Sequence, residues 1–243
     1  MNISLIIPTY FEENLLEQLL KEFTYELKQK YNFELIVSDG GSTDATISIA
    51  KKYVDKLVVK TKEERQTIAE GRNDGAKAAE GEVLVFLNAD CMPKNIIDFF
   101  NFIEDWRVNG KKYGAVACKV TAFENEVLLR DKIFYLLHNN YVRFLNFIGV
   151  GMGRGECQIV RRNVFDEVNG YNSKLVGGED FDLYRRITKH HHKILYSTKI
   201  IIKESPRRFR KYGYLKTLWY WTLNSLYVIF KNKSVSKEWE AIR

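Results

Sequence analysis

The chain has 243 residues and a mass of 28.5 kDa, the size of one ordinary domain or of one domain with a short appendage. An apolar fraction of 45% with only 3 Pro excludes an intrinsically disordered chain. The net charge of +7 is unevenly placed. Residues 205–243 carry nine basic and two acidic side chains, while residues 1–204 carry 29 of each sign. The body is therefore not a basic nucleic-acid-binding domain, and the excess belongs to the last 39 residues. Cys91, Cys118 and Cys157 are too few and too scattered for a disulfide framework, and no pair has metal-ligand spacing. A reduced, cytoplasmic chain is the simplest reading. The start, Met1-Asn2-Ile3-Ser4, offers no basic region or long apolar run, so no signal peptide is expected.

The first half alternates short apolar runs with helical patterns. Residues 3–7 form a strand-like run ended by Pro8. Residues 12–30 place Leu15, Leu16, Leu19, Leu20, Phe23 and Leu27 at helical spacing, predicting one helix. A second strand, 33–38, ends at Asp39-Gly40-Gly41, and Ser42 or Thr43 can cap a helix over 44–53. A third strand over 56–59, a helix over 67–79 and a fourth strand over 82–87 follow, the last ended by Asn88-Ala89-Asp90. Strands alternating with helices predict a mainly parallel sheet with helices on both faces. Ligands bind such sheets at the carboxyl ends of the strands, so the polar clusters at 8–12, 39–44 and 88–90 should share one crevice.

The second half is less regular. It reads as a helix over 94–106, an extended segment over 113–123 and a long aromatic amphipathic helix over 124–147. Four glycines between Gly149 and Gly155 mark a loop. A strand over 158–161, a helical turn over 163–168, a helix over 179–189 opened by Gly177-Gly178, and a strand over 193–203 come next. Residues 211–231 predict an apolar, aromatic helix.

Several segments resemble those of the family-2 glycosyltransferases with the GT-A fold. They are Ile6-Ile7-Pro8-Thr9-Tyr10, Val37-Ser38-Asp39-Gly40-Gly41-Ser42-Thr43-Asp44, Arg72-Asn73-Asp74-Gly75 and Phe86-Leu87-Asn88-Ala89-Asp90. Further on come Val160-Arg161-Arg162, Val168-Asn169-Gly170-Tyr171, Gly178-Glu179-Asp180 and Arg185-Arg186. They keep the family's order and cover roughly residues 3–190. The resemblance implies an α/β GT-A (Rossmann-like) domain over residues 1–204. Residues 1–90 would form its nucleotide-binding half and 91–204 its acceptor half, with 205–243 as a basic, aromatic helical appendage. It also implies sugar transfer from a nucleotide-diphosphate sugar.

The residue chemistry is consistent with that implication. The Asp39 carboxylate can accept hydrogen bonds from a base N–H or from ribose hydroxyls. The backbone at Pro8, Thr9 and Tyr10 and the side chain of Glu12 can frame a nucleoside, and Arg72 offers a fixed positive charge to a diphosphate. Asn88-Ala89-Asp90 stands where the family has Asp-x-Asp. The resemblance makes Asp90 the ligand of a divalent metal, Mn2+ or Mg2+, bridging the diphosphate. Asn88 departs from the pattern: it can bond a ribose hydroxyl but brings no charge, which puts tight metal binding in doubt. The resemblance makes Asp180 the base of an inverting transfer, taking the proton of the acceptor hydroxyl. Glu179 is placed as an acceptor-binding or supporting residue. Arg207-Arg208-Phe209-Arg210 resembles a reduced Gln-x-x-Arg-Trp segment of processive relatives. Arg207 and Arg208 are expected to reach the diphosphate or an anionic acceptor, and the missing Gln and Trp argue against a processive synthase.

His190-His191-His192 reads as a solvated helix end, since adjacent helical residues cannot chelate one ion together. Cys91 reads as a packed small residue. Residues 214–230 are too short and too polar to span a bilayer, but their Trp and Tyr, with Lys and Arg at both ends, suit a helix lying on a membrane. Packing over the sheet and a homodimer contact are the alternatives for 211–231. The expected partners are a nucleotide-diphosphate sugar and a lipid-phosphate, lipid-linked or glycan acceptor, at the inner face of the cell membrane, with no nucleic acid. Two other functions compete: a nucleotidyltransferase, which lacks its usual Gly-rich basic loop after the first strand, and a non-catalytic nucleotide-sugar-binding membrane scaffold, suggested by Asn88.

Overall fold

The structure is a computed structural model and describes residues 1–61 and 65–235. The tail charges Lys237, Glu238, Glu240 and Arg243 lie outside the described residues. Strands β1 (Ile3–Thr9), β2 (Phe33–Asp39), β3 (Lys56–Val59) and β4 (Val83–Leu87) pair in parallel in the order β3-β2-β1-β4. The sheet continues through β7 (Cys157–Arg161), β6 (Tyr113–Ala122), β8 (Lys193–Glu204) and the two-residue β5 (Met92–Pro93). Strand β7 runs antiparallel between β4 and β6, with Leu87 opposite Cys157. That reversal brings the start of β7 to the same sheet edge as the end of β4. Strand β6 is parallel to β8, so Glu204, paired with Ala122, reaches this edge too.

Helices cover both faces of the sheet. On one side Ile3, Leu5 and Ile7 pack against α1 (Leu16–Lys21), α2 (Tyr25–Tyr31) and α5 (Ile96–Asn109). The Phe100 ring lies 4.5 Å from Phe33 and 5.0 Å from Tyr31, and such ring pairs add about 1 kcal/mol each beyond their buried area. On the other side Ile6 and Phe86 meet α4 (Ile68–Ala78), α7 (Arg162–Glu167) and α8 (Glu179–Lys189). Helices α3 (Thr46–Ala50) and α6 (Leu129–Phe147) complete the described helices before residue 205.

Two predicted helices are broken by local backbone chemistry. The helix expected over 12–30 divides into α1 and α2, because Thr24 adopts an extended backbone and its side chain accepts the Leu27 N–H. The one expected over 211–231 divides at Gly213, whose φ of +85° ends a short α9 (Arg207–Tyr212) before α10 (Tyr214–Lys231) begins. Residues 205–235 also pack onto the body: Phe209 is buried in the first core, with Tyr214, Leu218 and Trp221 against it.

Candidate active site

A cavity of about 500 Å³ opens at the shared sheet edge. Pro8 and Thr9 at the end of β1, Asn88, Ala89 and Asp90 after β4, and Glu179 and Asp180 at the start of α8 all line it. Tyr10, Glu12, Arg72, Arg207 and Arg208 line it as well. The structure therefore brings together every expected site residue except Asp39. That carboxylate is fully buried. It accepts from Thr9 Oγ1 at 2.8 Å, Ser42 Oγ at 2.7 Å and the Gly41 and Ser42 amides at 2.9 and 2.7 Å. In this arrangement it ties the loop after β2 to the end of β1 and does not face the cavity.

Arg72 organises the floor. It rides on α4, which Thr67 and Glu70 start with a reciprocal capping box, a device worth about 1 kcal/mol. Its side chain is fully buried, pairs with Glu179 at 2.8 Å, and donates to Asn88 Oδ1 at 3.0 Å and the Gly155 carbonyl at 2.7 Å. Asn88 thus answers a buried guanidinium, and Glu179 supplies its counter-charge. Removing one partner of such a pair strands a buried charge.

Asp180 follows Glu179 at the first turn of α8. Burial in the cavity wall, then the Glu179 charge beside it, push its carboxyl up to about 7, with Arg72 opposing the shift. A carboxylate with that affinity for a proton is matched to base chemistry near neutral pH. Gly178 makes the turn into α8 with φ +79°. That backbone strains any other residue, and a side chain there would also meet Asn224 Nδ2 of α10 at 2.5 Å, where α10 packs against the start of α8.

Asp90 sits opposite, in the loop that β5 pins to the end of β8. Arg207 Nη2 donates to Asp90 Oδ2 at 3.0 Å, a partly exposed pair. Among the described residues no three His, Cys, Asp or Glu side chains converge on a metal position. One accessible carboxylate fits a cation carried in with a diphosphate, where phosphate oxygens and water complete the shell. It does not fit a cation held by protein ligands alone. Cys91 is buried, and burial pushes its thiol well above the ordinary value, as a packing residue requires. His190 and His192 both face Glu167, at 3.1 and 2.8 Å, away from this cavity.

The cavity also has walls that sequence reasoning missed. Arg154 is buried, with Nη2 2.6 Å from Glu156 and 3.1 Å from Glu204. His138 of α6 and Tyr220 and Trp221 of α10 stand beside them. The glycine-rich run before β7 was a signal for Arg154 and Glu156. Nothing local could join them to Glu204, 48 residues further on.

A parallel β3-β2-β1-β4 half, an antiparallel β7 beside it and a polar cavity at the strand ends define the GT-A fold. The chain superposes on a mannosyltransferase, PcManGT from Pyrobaculum calidifontis in complex with GDP-Man and Mn2+, with a TM-score of 0.66 at 20% identity. That match covers 88% of this chain and 61% of the other. Residues 4–168 match the model of glycosyl transferase family 2, and the chain belongs to that family. It is 33% identical over 152 residues to the poly(ribitol-phosphate) beta-N-acetylglucosaminyltransferase TarS of Staphylococcus aureus, covering 56% of this chain and 26% of that protein. It is 23% identical over 264 residues to a dolichyl N-acetyl-alpha-D-glucosaminyl phosphate 3-beta-D-2,3-diacetamido-2,3-dideoxy-beta-D-glucuronosyltransferase of Methanococcus voltae, covering 93% of this chain and 79% of that one. The chain spans about a quarter of the length of TarS.

Proposed function

We propose that the protein is an inverting glycosyltransferase that moves a sugar from a nucleotide-diphosphate sugar to a hydroxyl of a lipid-linked or glycan acceptor. The donor is a UDP or GDP sugar, the nucleotides found with structural relatives. The acceptor oxygen attacks the anomeric carbon while the bond to the diphosphate breaks, and the nucleotide leaves with that electron pair. Asp180 takes the acceptor proton. Arg207 and Arg208 answer the charge of the leaving diphosphate. A divalent cation, when bound, would be held by Asp90 and would stabilise charge on the leaving nucleotide. Arg207, which pairs with Asp90 at 3.0 Å, stands within reach of the same phosphates. The observation that carries the reading is an aspartate held near 7 in the same cavity as Asp90 and the buried Arg72.

The test is nucleotide release from a panel of UDP and GDP sugars, with and without Mn2+ or Mg2+. Release that needs both an acceptor and intact Asp180 is the expected result. Nucleotide-sugar binding without turnover under any acceptor would favour a scaffold.

The acceptor side is proposed to meet a membrane at the inner face of the cell. Among the described residues no helix is long and apolar enough to cross a bilayer. Yet α10 exposes Leu215, Trp219 and Phe230, and α6 exposes Leu136, Leu137 and Phe147. The charged residues exposed on these two helices, Arg130, Lys132, Arg143, Lys216 and Lys231, are all basic. That combination suits an anionic lipid surface. Flotation with anionic liposomes checks it. Leu136→Glu with Trp219→Glu should lose flotation while keeping nucleotide binding. Equal flotation of the variant removes this surface from the account.

A further inference from the structure

Helix α8, which carries Asp180, opens on Gly178 and has no side chain capping its first turn. The turn that leads into it is held instead from a distant part of the chain. Ser234, 54 residues beyond Asp180, accepts the Val176 amide at 3.0 Å and the Gly177 amide at 3.1 Å through its hydroxyl. The same hydroxyl donates to the Gly177 carbonyl at 2.8 Å. A serine hydroxyl has one proton to donate and two lone pairs to accept with, so the group is fully used on this turn. Val176, Gly177 and Gly178 line the cavity immediately before Glu179 and Asp180. Backbone groups at such a place need partners, and without the hydroxyl they would turn to water in the cavity.

The segment that carries Ser234 is itself fixed at this place. Asn232 ends α10 with a φ of +51°, and its Oδ1 accepts from Asn172 Nδ2 at 3.1 Å. The Val235 amide donates to Asn224 Oδ1 at 2.9 Å, and the Nδ2 of that buried side chain abuts Gly178. Under the turn, Leu175, Phe181 of α8 and Val228 of α10 form a small apolar core of their own. Residues 172–178 are thus enclosed between α8 and the end of α10. The start of α8 has two anchors: Arg72 grips Glu179 from the cavity floor, and Ser234 grips the preceding turn from the side of α10.

We propose that Ser234 is a positioning residue for the transfer reaction: by clasping the turn at 176–177 it fixes the first turn of α8, and with it the direction in which the Asp180 carboxylate enters the cavity. The assignment rests on the reading of Asp180 as the base and deepens it. A misplacement of about 1 Å in a reacting group costs up to about 10²-fold in rate. The strand ends that carry Thr9, Asn88 and Asp90 make no contact with Ser234, so nucleotide binding should not depend on it. Threonine keeps the hydroxyl that bonds the turn, and alanine removes it.

The test uses the full chain and compares Ser234→Ala, Ser234→Thr and Asp180→Asn with the wild type. Nucleotide release from the panel of UDP and GDP sugars, with p-nitrophenyl glycosides or water as acceptor, gives kcat and KM. The affinities of UDP and GDP, and the hydrogen exchange of the backbone over 172–182, are measured on the same samples. Ser234→Ala should lower kcat by about tenfold or more and speed exchange over 172–182, with UDP and GDP affinity unchanged. Ser234→Thr should recover most of the rate and of the protection. Equal kcat in Ser234→Ala and the wild type overturns the assignment. So does a loss that Ser234→Thr shares in full, or one that falls as strongly on nucleotide affinity, since either marks a general packing role. Failure at Ser234 while Asp180→Asn is inactive leaves the reading of the base standing. Full turnover in Asp180→Asn, or a wild type that turns over none of the panel, overturns that reading and the role of Ser234 with it.

Discussion

The two halves of the cavity are built by different means. In the first half, each site residue comes directly off the end of a parallel strand or lies on α4 packed beneath those strands. Thr9 ends β1, Asn88 and Asp90 follow β4, and Arg72 sits on α4. In the second half, Arg154, Glu156, Glu204, His138 and Trp221 come from a glycine loop, one strand and two helices spread over more than 80 residues. The first half is a local consequence of strand direction. The second exists only because β7 reverses and β5 clips the Asp90 loop to β8. Local wiring suits the shared part of a reaction, and assembled walls suit the part that differs between acceptors.

Perturbing residues from both halves breaks or sharpens this contrast. The largest effect is expected for Asp180→Asn, which should cut transfer by about 10²–10⁴-fold while leaving nucleotide affinity intact. Unchanged turnover would remove Asp180 from its role. Asp90→Ala should come next, losing about tenfold or more in donor affinity when Mn2+ or Mg2+ is present and little when it is absent. Equal affinity and equal metal response would end the metal assignment.

Glycine substitutions probe the two constructions through stability. Gly75→Ala drives a methyl to 2.4 Å from Ile6 Cγ2 under the first half, and Gly178→Ala adds strain at φ +79° beside Asn224. Each should destabilise by about 1–3 kcal/mol in urea unfolding. Only Gly178→Ala should also lower turnover in the folded protein, since it displaces the start of α8. If both leave turnover alike, the α8–α10 closure does not position the base. The smallest effect is expected for Arg207→Ala. Its partly exposed pair with Asp90 should contribute under about 1 kcal/mol to stability, so the change should show mainly as weaker diphosphate binding.

The contrast also explains what the amino-acid sequence disclosed. Strand ends and turn residues are local signals, so the parallel half of the sheet, the cavity edge and the position of Asp90 could be read directly, while Asp180 was placed by the resemblance to family-2 glycosyltransferases. Asp39 lies against the Ser42 and Gly41 amides, an orientation that its type and position in the sequence do not tell. The long N-terminal helix was overextended because periodic leucines outweighed Thr24, whose capping bond decides the break. Tyr220 and Trp221 read as part of an apolar helix, yet one edge of that helix closes the cavity. Glu204 was unreadable because its partners are set by tertiary pairing of β5, β6 and β8.

The central claim is that a single aspartate, held close to neutrality by burial and by Glu179, accepts the acceptor's proton. Its proton affinity carries a sign that can be measured. The folded protein keeps this proton up to about 7, whereas an ordinary aspartate releases it near 3.8. Between those values the native state binds the extra proton, so at this residue rising pH lowers stability while it creates the active base. The decisive measurement is kcat/KM against pH from 5 to 9 with a UDP or GDP sugar and a hydroxyl acceptor. The account predicts an acidic limb with a midpoint near 7 in the wild type, which disappears along with the activity in Asp180→Asn. A flat profile across that range, or the same limb surviving in Asp180→Asn, would contradict it.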